Sequence, residues 1–251
     1  GDSFAPPMRE AWREEGLSDR LVRVVPERST GLYAIDVDER GERHFSYWRD
    51  ASAARAYFDA PTTPLEEAAD EVDVLMLSGI SVAILPEPGR ERLWALIGRL
   101  RRRGATIVWD NNYRPRLWRS VDEARTTMAR FRDAGDIALL TLDDERAFGG
   151  AVDRAALQAL PCGELVVKQG AQPTLVRRAG EPFDEVPVEQ VERPIDTTAA
   201  GDAFAGGYVA ARLRGRAPRE AAAIGNRVAG TVVQHPGAII PLDAMPQDLW
   251  A

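Results

Sequence analysis

Residues 196–207 read Asp-Thr-Thr-Ala-Ala-Gly-Asp-Ala-Phe-Ala-Gly-Gly, and this stretch is the most informative of the chain. Small residues precede Asp202, and the pattern over 201–214 predicts a helix that begins beside it. Backbone N–H groups at a helix start without bulky neighbours form a site for an anion. A carboxylate at that point could accept a proton from an attacking hydroxyl group. The stretch favours a phosphate-handling site, with a plain helix cap at Asp196 or Asp202 as the alternative.

Strands and helices alternate from residue 65 onwards. This alternation is typical of parallel βαβ units, and it predicts a three-layer α/β/α domain with a mostly parallel central sheet. The apolar patterns predict strands at 72–77, 106–109, 137–140, 165–168 and 174–176, and helices at 7–15, 51–58, 90–103, 121–132, 143–148, 201–214 and 219–234.

The segment before residue 65 follows a different pattern. Residues 31–37 and 43–48 alternate as two strands, and the turn at 38–42 joins them as a hairpin. Because this hairpin has no helices of its own, we expect it to form a small β lid at about 31–48. No repeat or linker requires a second independent domain, so we expect one domain over 1–251 that carries this lid.

Composition excludes several classes of protein. The chain has 251 residues, of which 45% are hydrophobic, and 32 Lys+Arg against 39 Asp+Glu give a net charge of −7. These values exclude a disordered chain, a collagen and a disulfide scaffold. The acidic balance argues against nucleic acid or an anionic membrane as a partner. Cys162 is the single cysteine, which fits a reducing compartment, and we expect a cytoplasmic protein.

Residues 196–207 resemble the C-terminal signature of the ribokinase-like (PfkB) carbohydrate kinases, whose core is Asp-Thr-x-Gly-Ala-Gly-Asp. Ala199 stands where most members of that family have glycine. The resemblance extends from Gly1 to about Asp243, and it is most similar to one branch, the kinases that phosphorylate 2-keto-3-deoxygluconate at its terminal hydroxyl with ATP. The further stretches that carry it are Gly-Leu-Tyr at 31–33, Phe-Ser-Tyr-Trp-Arg at 45–49, Asp-Asn-Asn-Tyr-Arg-Pro-Arg-Leu-Trp at 110–118 and Thr-Leu-Asp-Asp-Glu at 141–145.

The resemblance implies roles for the signature residues. Asp202 is similar to the family's catalytic base, and the backbone of Ala199, Ala200 and Gly201 is similar to the anion hole for the transferred phosphoryl group. An alanine at position 199 keeps its N–H but adds a methyl group, so we expect it to be tolerated if its φ is negative.

The substrate side must recognise a carboxylate and an α-keto group. Arginine suits a carboxylate because it forms bidentate, charge-assisted hydrogen bonds. The resemblance implies Tyr33, Tyr47, Arg49 and Arg114 beside Asp202, whereas the spacing of the two tyrosines alone fits packing within the lid. Arg114 belongs to the cluster at 110–114, which follows a predicted strand at the sheet edge where ligands bind.

The nucleotide side carries weaker signals. An ordinary turn explains Lys168–Ala171 equally well, and Asn226 alone would be read as a solvated helix residue. The resemblance implies the following ATP-binding residues: Asn112, Arg114, Lys168, Gly170, Ala171, Gly201, Asn226 and Ala238.

Phosphoryl transfer from ATP uses Mg²⁺, which is held mainly by phosphate oxygens and water. The family has Asn-x-x-Glu near the metal, whereas this chain has Leu142 at the first position and Glu145 at the last. We therefore expect Glu145 to approach the metal through water. The resemblance leaves the use of a monovalent cation open. With only His44 and His235 as histidines, the sequence disfavours a zinc site.

The expected partners are a sugar acid and ATP, and the apolar face of the lid predicts a homo-oligomer formed through it. Family members begin with a further strand and a Gly-Gly-rich stretch, which implies that roughly fifty residues precede the point matching Gly1. Two alternatives stay open. One is another sugar or nucleoside kinase of the same fold, and the other is a truncated, catalytically impaired form that still binds nucleotide.

Overall fold

The computed structural model describes residues 1–37 and 43–250. The chain divides into two compact units, of which the first consists of Gly1–Leu75 with Ile80–Ala105 and the second of Met76–Gly79 with Thr106–Ala251. The expectation of one domain over residues 1–251 stays a prediction.

The first unit contains the predicted hairpin. Strand β1 (Leu32–Val37) pairs antiparallel with β2 (Arg43–Trp48), and the register sets Tyr33 opposite Tyr47. Alternation of apolar and polar residues over both strands explains this pairing, because it gives the ribbon two distinct faces. The predicted turn at 38–42 lies outside the described residues.

Helices make up much of the rest of the first unit. Helix α1 (Ala5–Glu14) ends just before Gly16, whose φ of +79° suits a helix stop. The segment predicted as a helix at 51–58 is a 3₁₀ helix, Ala53–Asp59. The remaining helices of this region are α2 (Pro64–Glu67), α3 (Gly79–Ala83) and α4 (Glu87–Arg102), and α4 buries Leu93, Leu96, Ile97 and Leu100.

The second unit is built on a six-stranded sheet in which the spatial order follows the chain order. The strands β4, β5 and β6 pair in parallel, whereas β7 and β8 add to the edge in antiparallel fashion. The central strands β5 and β6 are buried at nearly every position, and this explains why their sequences are apolar runs. The strands are β3 (Val74–Ser78), β4 (Thr106–Asp110), β5 (Ile137–Thr141), β6 (Glu164–Gln169), β7 (Gln172–Arg178) and β8 (Asp184–Val186).

Helices pack against this sheet. One of them contacts β4, the next follows β5 without a loop, and the last contacts β7 and β8. No helix in the described ranges is long and apolar enough to cross a membrane. In chain order the helices are α5 (Val121–Asp133), α6 (Leu142–Ala147), α7 (Arg154–Gln158), α8 (Ala200–Leu213) and α9 (Pro218–Val232).

The helices α8 and α9 approach each other closely at two glycines. A Cβ on Gly225 would lie 2.9 Å from the ring and carbonyl oxygen of Phe204, and a Cβ on Gly207 would lie 3.1 Å from Val228. Only glycine allows the two backbones to come so near. This contact fixes the direction of α8, whose first turn carries Asp202.

Candidate active site

Asp202 lies in the first turn of α8, as the sequence predicts. The helix begins at Ala200, and the N–H of Ala203 donates to the carbonyl oxygen of Ala199 at 2.8 Å. Helix geometry leaves the N–H groups of a first turn without partners in a preceding turn. Gly201 and Asp202 therefore present backbone donors, with the positive end of the helix dipole behind them.

Ala199 does not meet the condition, a negative φ, under which its methyl group is expected to be tolerated. Its φ is +61° and its ψ is 9°, which is the left-handed region. An L-residue with a side chain is strained there by about 1–2 kcal/mol, and glycine is not. Glycine would adopt this backbone angle without strain, and the alanine is held there by the surrounding structure.

The carboxylate of Asp202 keeps access to water and faces charged groups from two strands. Burial of the carboxyl group is the main cause that raises its pKa, and the negative charge of Asp110 raises it further. The positive charges of Lys168 and Arg114 lower it. A raised pKa brings a carboxylate closer to the range in which it works as a general base near neutral pH.

Asn111 ties together the carboxyl ends of β4 and β5. Its Oδ1 accepts from the N–H groups of Asn112 and Thr141, both at 2.9 Å, and its Nδ2 donates to the carbonyl oxygen of Thr141 at 3.0 Å. The side chain is fully buried. This bonding holds Asn112 at an unusual φ of +30° and sets its side chain toward α8.

Glu145 is buried on α6, and its Oε1 accepts from Nδ2 of Asn111 at 3.1 Å. Its Oε2 has no hydrogen-bond partner among the described residues. Burial raises the pKa of this carboxyl group, while the bond from Asn111, the charge of Arg132 and the backbone N–H of Ala151 lower it. An orphaned carboxylate oxygen fits a role toward a hydrated cation. Within residues 1–37 and 43–250, no three Asp, Glu, His or Cys side chains come together as a metal-binding group.

Arg114 is oriented by its own loop. Its Nη1 donates to the carbonyl oxygen of Tyr113 at 2.7 Å and lies 3.9 Å from Oδ2 of Asp144. The same Oδ2 accepts from the N–H of Tyr113 at 3.1 Å. Burial raises the pKa of Asp144, and the guanidinium of Arg114 acts against that rise. With one nitrogen engaged, the rest of the guanidinium can bind an anion.

A cleft of about 360 Å³ opens beside the start of α8. Lys168, Gly170 and Ala171 form one wall, and Ala200 with Gly201 lie at its inner end. Gly170 has a φ of +62°, which allows the tight turn between β6 and β7. The rest of the lining mixes polar and apolar side chains, and the apolar ones, which suit a nucleotide base, are Val188, Val191, Pro194, Phe204, Ala229 and Val233.

Two polar side chains in this region are engaged in hydrogen bonds, and one of them lines the cleft. Asn226 lines it, but its amide already accepts from Oγ1 of Thr174 at 2.8 Å and donates to the carbonyl oxygen of Pro187 at 3.1 Å. Asp196 accepts from the N–H of Thr198 at 2.8 Å and from the N–H of Gly237 at 2.9 Å. Asp196 thereby connects the signature to the loop that carries Ala238.

The remaining predicted site residues belong to the first unit. The guanidinium carbon of Arg49 lies 4.3 Å from the ring centre of Tyr47, and the rings of Tyr33 and Tyr47 are 6.2 Å apart. These three residues are therefore neighbours on the hairpin. The structure brings the other predicted residues together in the second unit: Asn112, Arg114, Glu145, Lys168, Gly170, Ala171, Ala199, Ala200, Gly201, Asp202, Asn226 and Ala238.

The sequence interpretation gave no individual role to three residues that the site uses. Asp110 binds Lys168, Asn111 ties the two strand ends, and Asp144 accepts from the Tyr113 N–H beside Arg114. Asp110 and Asn111 stand where a buried strand ends, and polar residues at the carboxyl edge of a parallel sheet are the signal that could have identified them. No such signal identifies Asp144, because an acidic residue in the first turn of a helix such as α6 is usually exposed to solvent.

Comparison with known proteins agrees with this geometry. The model of the pfkB family carbohydrate kinases matches residues 1–245. A 2-dehydro-3-deoxygluconokinase of Escherichia coli (strain K12) is 44% identical over 98% of this chain and 82% of its own length.

Solved structures show the same fold. A putative ribokinase II from E. coli in its apo form superposes with a TM-score of 0.81 at 20% identity, over 95% of this chain and 76% of that one. A fructokinase from Vibrio cholerae O395, solved with fructose, ADP and calcium, has a TM-score of 0.78 at 25% identity over 98% and 80% of the two chains. Together with the family match over nearly the whole sequence, these likenesses establish that the chain is a member of the PfkB family of carbohydrate kinases.

Proposed function

We propose that this kinase transfers the γ-phosphoryl group of ATP to the terminal hydroxyl of 2-keto-3-deoxy-D-gluconate, giving the 6-phosphate and ADP. The name of the E. coli relative, 2-dehydro-3-deoxygluconokinase, denotes the same substrate. The observation that carries the proposal is the position of Asp202, in the first turn of α8 directly after Ala200 and Gly201, which line the cleft.

The chemistry follows from that position. Asp202 takes the proton of the acceptor hydroxyl as the oxygen attacks the γ-phosphorus, and the bond from that phosphorus to ADP breaks. The N–H groups of Ala199, Ala200 and Gly201 are proposed as the anion hole for the charge that develops on the phosphoryl oxygens. Lys168 adds a positive charge at the same end of the cleft.

The cleft supports ATP as the phosphate donor. The apolar residues of its lining suit an adenine ring, and Ala200 and Gly201 bring the helix start, which suits phosphates, into the same cleft. We propose that Lys168, Gly170, Ala171, Gly201 and Ala238 contact the nucleotide. Because the amide of Asn226 is engaged with Thr174 and Pro187, its contribution is to shape the wall. We propose that Asn112 and Arg114, which follow the carboxyl end of β4, approach the nucleotide from the same edge of the sheet.

We propose Mg²⁺ as the divalent cation that accompanies ATP. When bound, the ion neutralises part of the charge on the phosphates. Glu145 is the residue of this chain that would contact it through water, because its Oε2 is buried and has no partner among the described residues.

The substrate carboxylate is the feature that separates this acceptor from a hexose or a nucleoside. We propose that Arg49 and Arg114 bind it, with Tyr33 and Tyr47 beside the sugar chain. The contact of Arg49 with the ring of Tyr47 supports this, since it holds the guanidinium in one orientation.

An ADP-release assay tests the function. We expect turnover of 2-keto-3-deoxygluconate well above that of fructose, ribose or adenosine. Arg49→Ala and Arg114→Ala should raise KM for the keto acid at least about tenfold, a loss of about 1.4 kcal/mol each. Arg116→Ala, which removes an exposed arginine two residues from Arg114, is the control and should act like the parent protein. Equal turnover of fructose would overturn the assignment of the acceptor.

We also propose that the chain forms a homo-oligomer through the hairpin. Tyr33 and Phe45 are 47% and 40% exposed, and their rings lie 6.4 Å apart on one face. Exposed aromatic clusters of this kind mark interaction surfaces. Light scattering should give a mass above 27.6 kDa that falls toward the monomer value in Phe45→Ser. A parent protein that runs as a monomer would refute this.

A further inference from the structure

A buried ion pair lies at the carboxyl edge of the sheet. Nζ of Lys168 donates to Oδ2 of Asp110 at 2.9 Å, and the two residues are 9% and 3% exposed. Asp110 is the last residue of β4, and Lys168 is the penultimate residue of β6. Since β5 lies between these strands, the pair spans the strand end nearest the cleft.

Burying such a pair costs desolvation free energy. Removing two charges from water costs several kcal/mol per ion, and apolar side chains of the same volume are often as stable or more stable. The stability of the sheet therefore gives little reason for Lys168 and Asp110 at these positions. In the part of the chain that the structure describes, Asp110 is the hydrogen-bond partner of this ammonium, which leaves donors for a ligand.

The ammonium points at the start of α8. Nζ of Lys168 lies 3.7 Å from the position that a Cβ on Gly201 would take. Lys168, Ala200 and Gly201 all line the inner end of the cleft. A phosphate bound to the first turn of α8 therefore meets the ammonium directly.

Charges from several elements face Asp202 at the same place. Asp110 faces it from β4, Lys168 from β6 and Arg114 from the loop after β4, and the amide of Asn112 lies 3.5 Å away. Asp144 on α6 faces Asp110, Lys168 and Arg114. Asp110 raises the pKa of Asp202 and Lys168 lowers it, so removing one or the other should shift this pKa in opposite directions.

We propose that Asp110 is a positioning residue for phosphoryl transfer, which fixes the ammonium of Lys168 at the start of α8 so that it meets the phosphate oxygens of the nucleotide. This inference rests on the proposed function. The acceptor O–H bond breaks and its proton goes to Asp202, the new O–P bond forms, and the bond between the γ-phosphorus and ADP breaks. Lys168 takes no part in the proton transfer and contributes through its position beside the phosphate.

Asp110→Asn tests the proposal, because it keeps the shape and removes the charge. We expect kcat to fall about 10- to 100-fold, with the KM for the sugar acid nearly unchanged. The acid limb of kcat/KM should move to lower pH, because the loss of a negative charge lowers the pKa of Asp202. Lys168→Met should lower kcat further, raise KM for ATP and move the acid limb to higher pH, and Lys168→Arg should restore part of kcat.

Glu164→Gln is the matched control. Glu164 is also buried, and it is paired with Arg212 at 2.9 Å and bonded by the hydroxyl of Tyr208 at 2.7 Å. Its substitution should lower Tm and leave the pH profile in place. Opposite shifts of the acid limb in the Asp110 and Lys168 variants would support the proposal, whereas a parent-like kcat and pH profile in Asp110→Asn would overturn it.

Nucleotide binding separates this inference from the proposed function. Calorimetric titration with ATP alone should show weaker binding in Lys168→Met and, to a smaller degree, in Asp110→Asn. If the parent protein phosphorylates no acceptor, the proposed function fails, but the titration with ATP still tests the positioning inference. Parent-like ATP affinity in both variants would overturn that inference. If Asp110→Asn does not fold, the ATP affinity of Lys168→Met is the deciding measurement.

Discussion

Nδ2 of Asn112 lies 3.5 Å from Oδ1 of Asp202, and this contact joins residues that are ninety positions apart in the chain. One residue follows β4 and the other opens α8, so the contact brings the carboxyl edge of the sheet to the helix start. A carboxylate held by a neutral amide keeps its charge and its orientation.

Asp202→Asn should lower kcat about 100- to 10,000-fold, because the amide cannot take a proton from the acceptor. The affinity for ATP should stay within a few-fold of the parent, since the helix start is unchanged. ADP release and calorimetric titration measure the two effects. Asp143→Asn, at an exposed carboxylate on α6, is the control for the same chemical change. Turnover that persists in Asp202→Asn would remove Asp202 from the role of base.

The same substitution should change stability with a defined sign. The folded state raises the pKa of Asp202, so its ionised form disfavours folding above that pKa, and the penalty is lost as the pH falls through it. Asp202→Asn should be more stable than the parent at pH 7, by about 0.5 kcal/mol because the residue keeps access to water. The difference should vanish below pH ~4. Urea denaturation at both pH values measures it, and a variant less stable at pH 7 contradicts it.

Ala199→Gly should stabilise the fold by up to about 1 kcal/mol. Glycine relieves the strain of φ +61°, although it also gives the unfolded chain more freedom, and the first effect is the larger. Ala200→Gly is the control, because Ala200 has helical geometry and should lose about 0.5–1 kcal/mol. Chemical denaturation compares the two variants. A similar loss in both would show that Ala199 carries no strain.

Gly225→Ala should destabilise the fold by about 1–3 kcal/mol, since its new methyl group would lie 2.9 Å from Phe204. Gly206→Ala should instead stabilise α8 by about 0.5–1 kcal/mol, because nothing lies within 4 Å of the added carbon. Thermal unfolding of both variants tests the packing of α8 against α9. If both substitutions stabilise the protein, the close helix contact is wrong.

Much of the second unit could be predicted from patterns along the chain. The apolar runs at 137–140 and 165–168 are buried strands, and the small-residue run after Gly201 is a helix, because burial on both faces and helical periodicity leave marks on local sequence. Short elements such as α7 and β8 were not predicted. They contain five and three residues, too few for a periodic signal.

The sequence by itself determined the family, because the signature at 196–207 and the stretch at 110–118 resemble it closely. It also predicted an anion site at the start of α8, because small residues surround Asp202 there. The tertiary structure alone decided three things: the left-handed backbone at Ala199, the salt bridge between Asp110 and Lys168, and the engagement of the Asn226 amide. The salt bridge and the Asn226 contacts join groups that are distant in the chain, and the Ala199 feature is a backbone angle. Local sequence does not encode such contacts or angles, because the packing of strands and helices sets them.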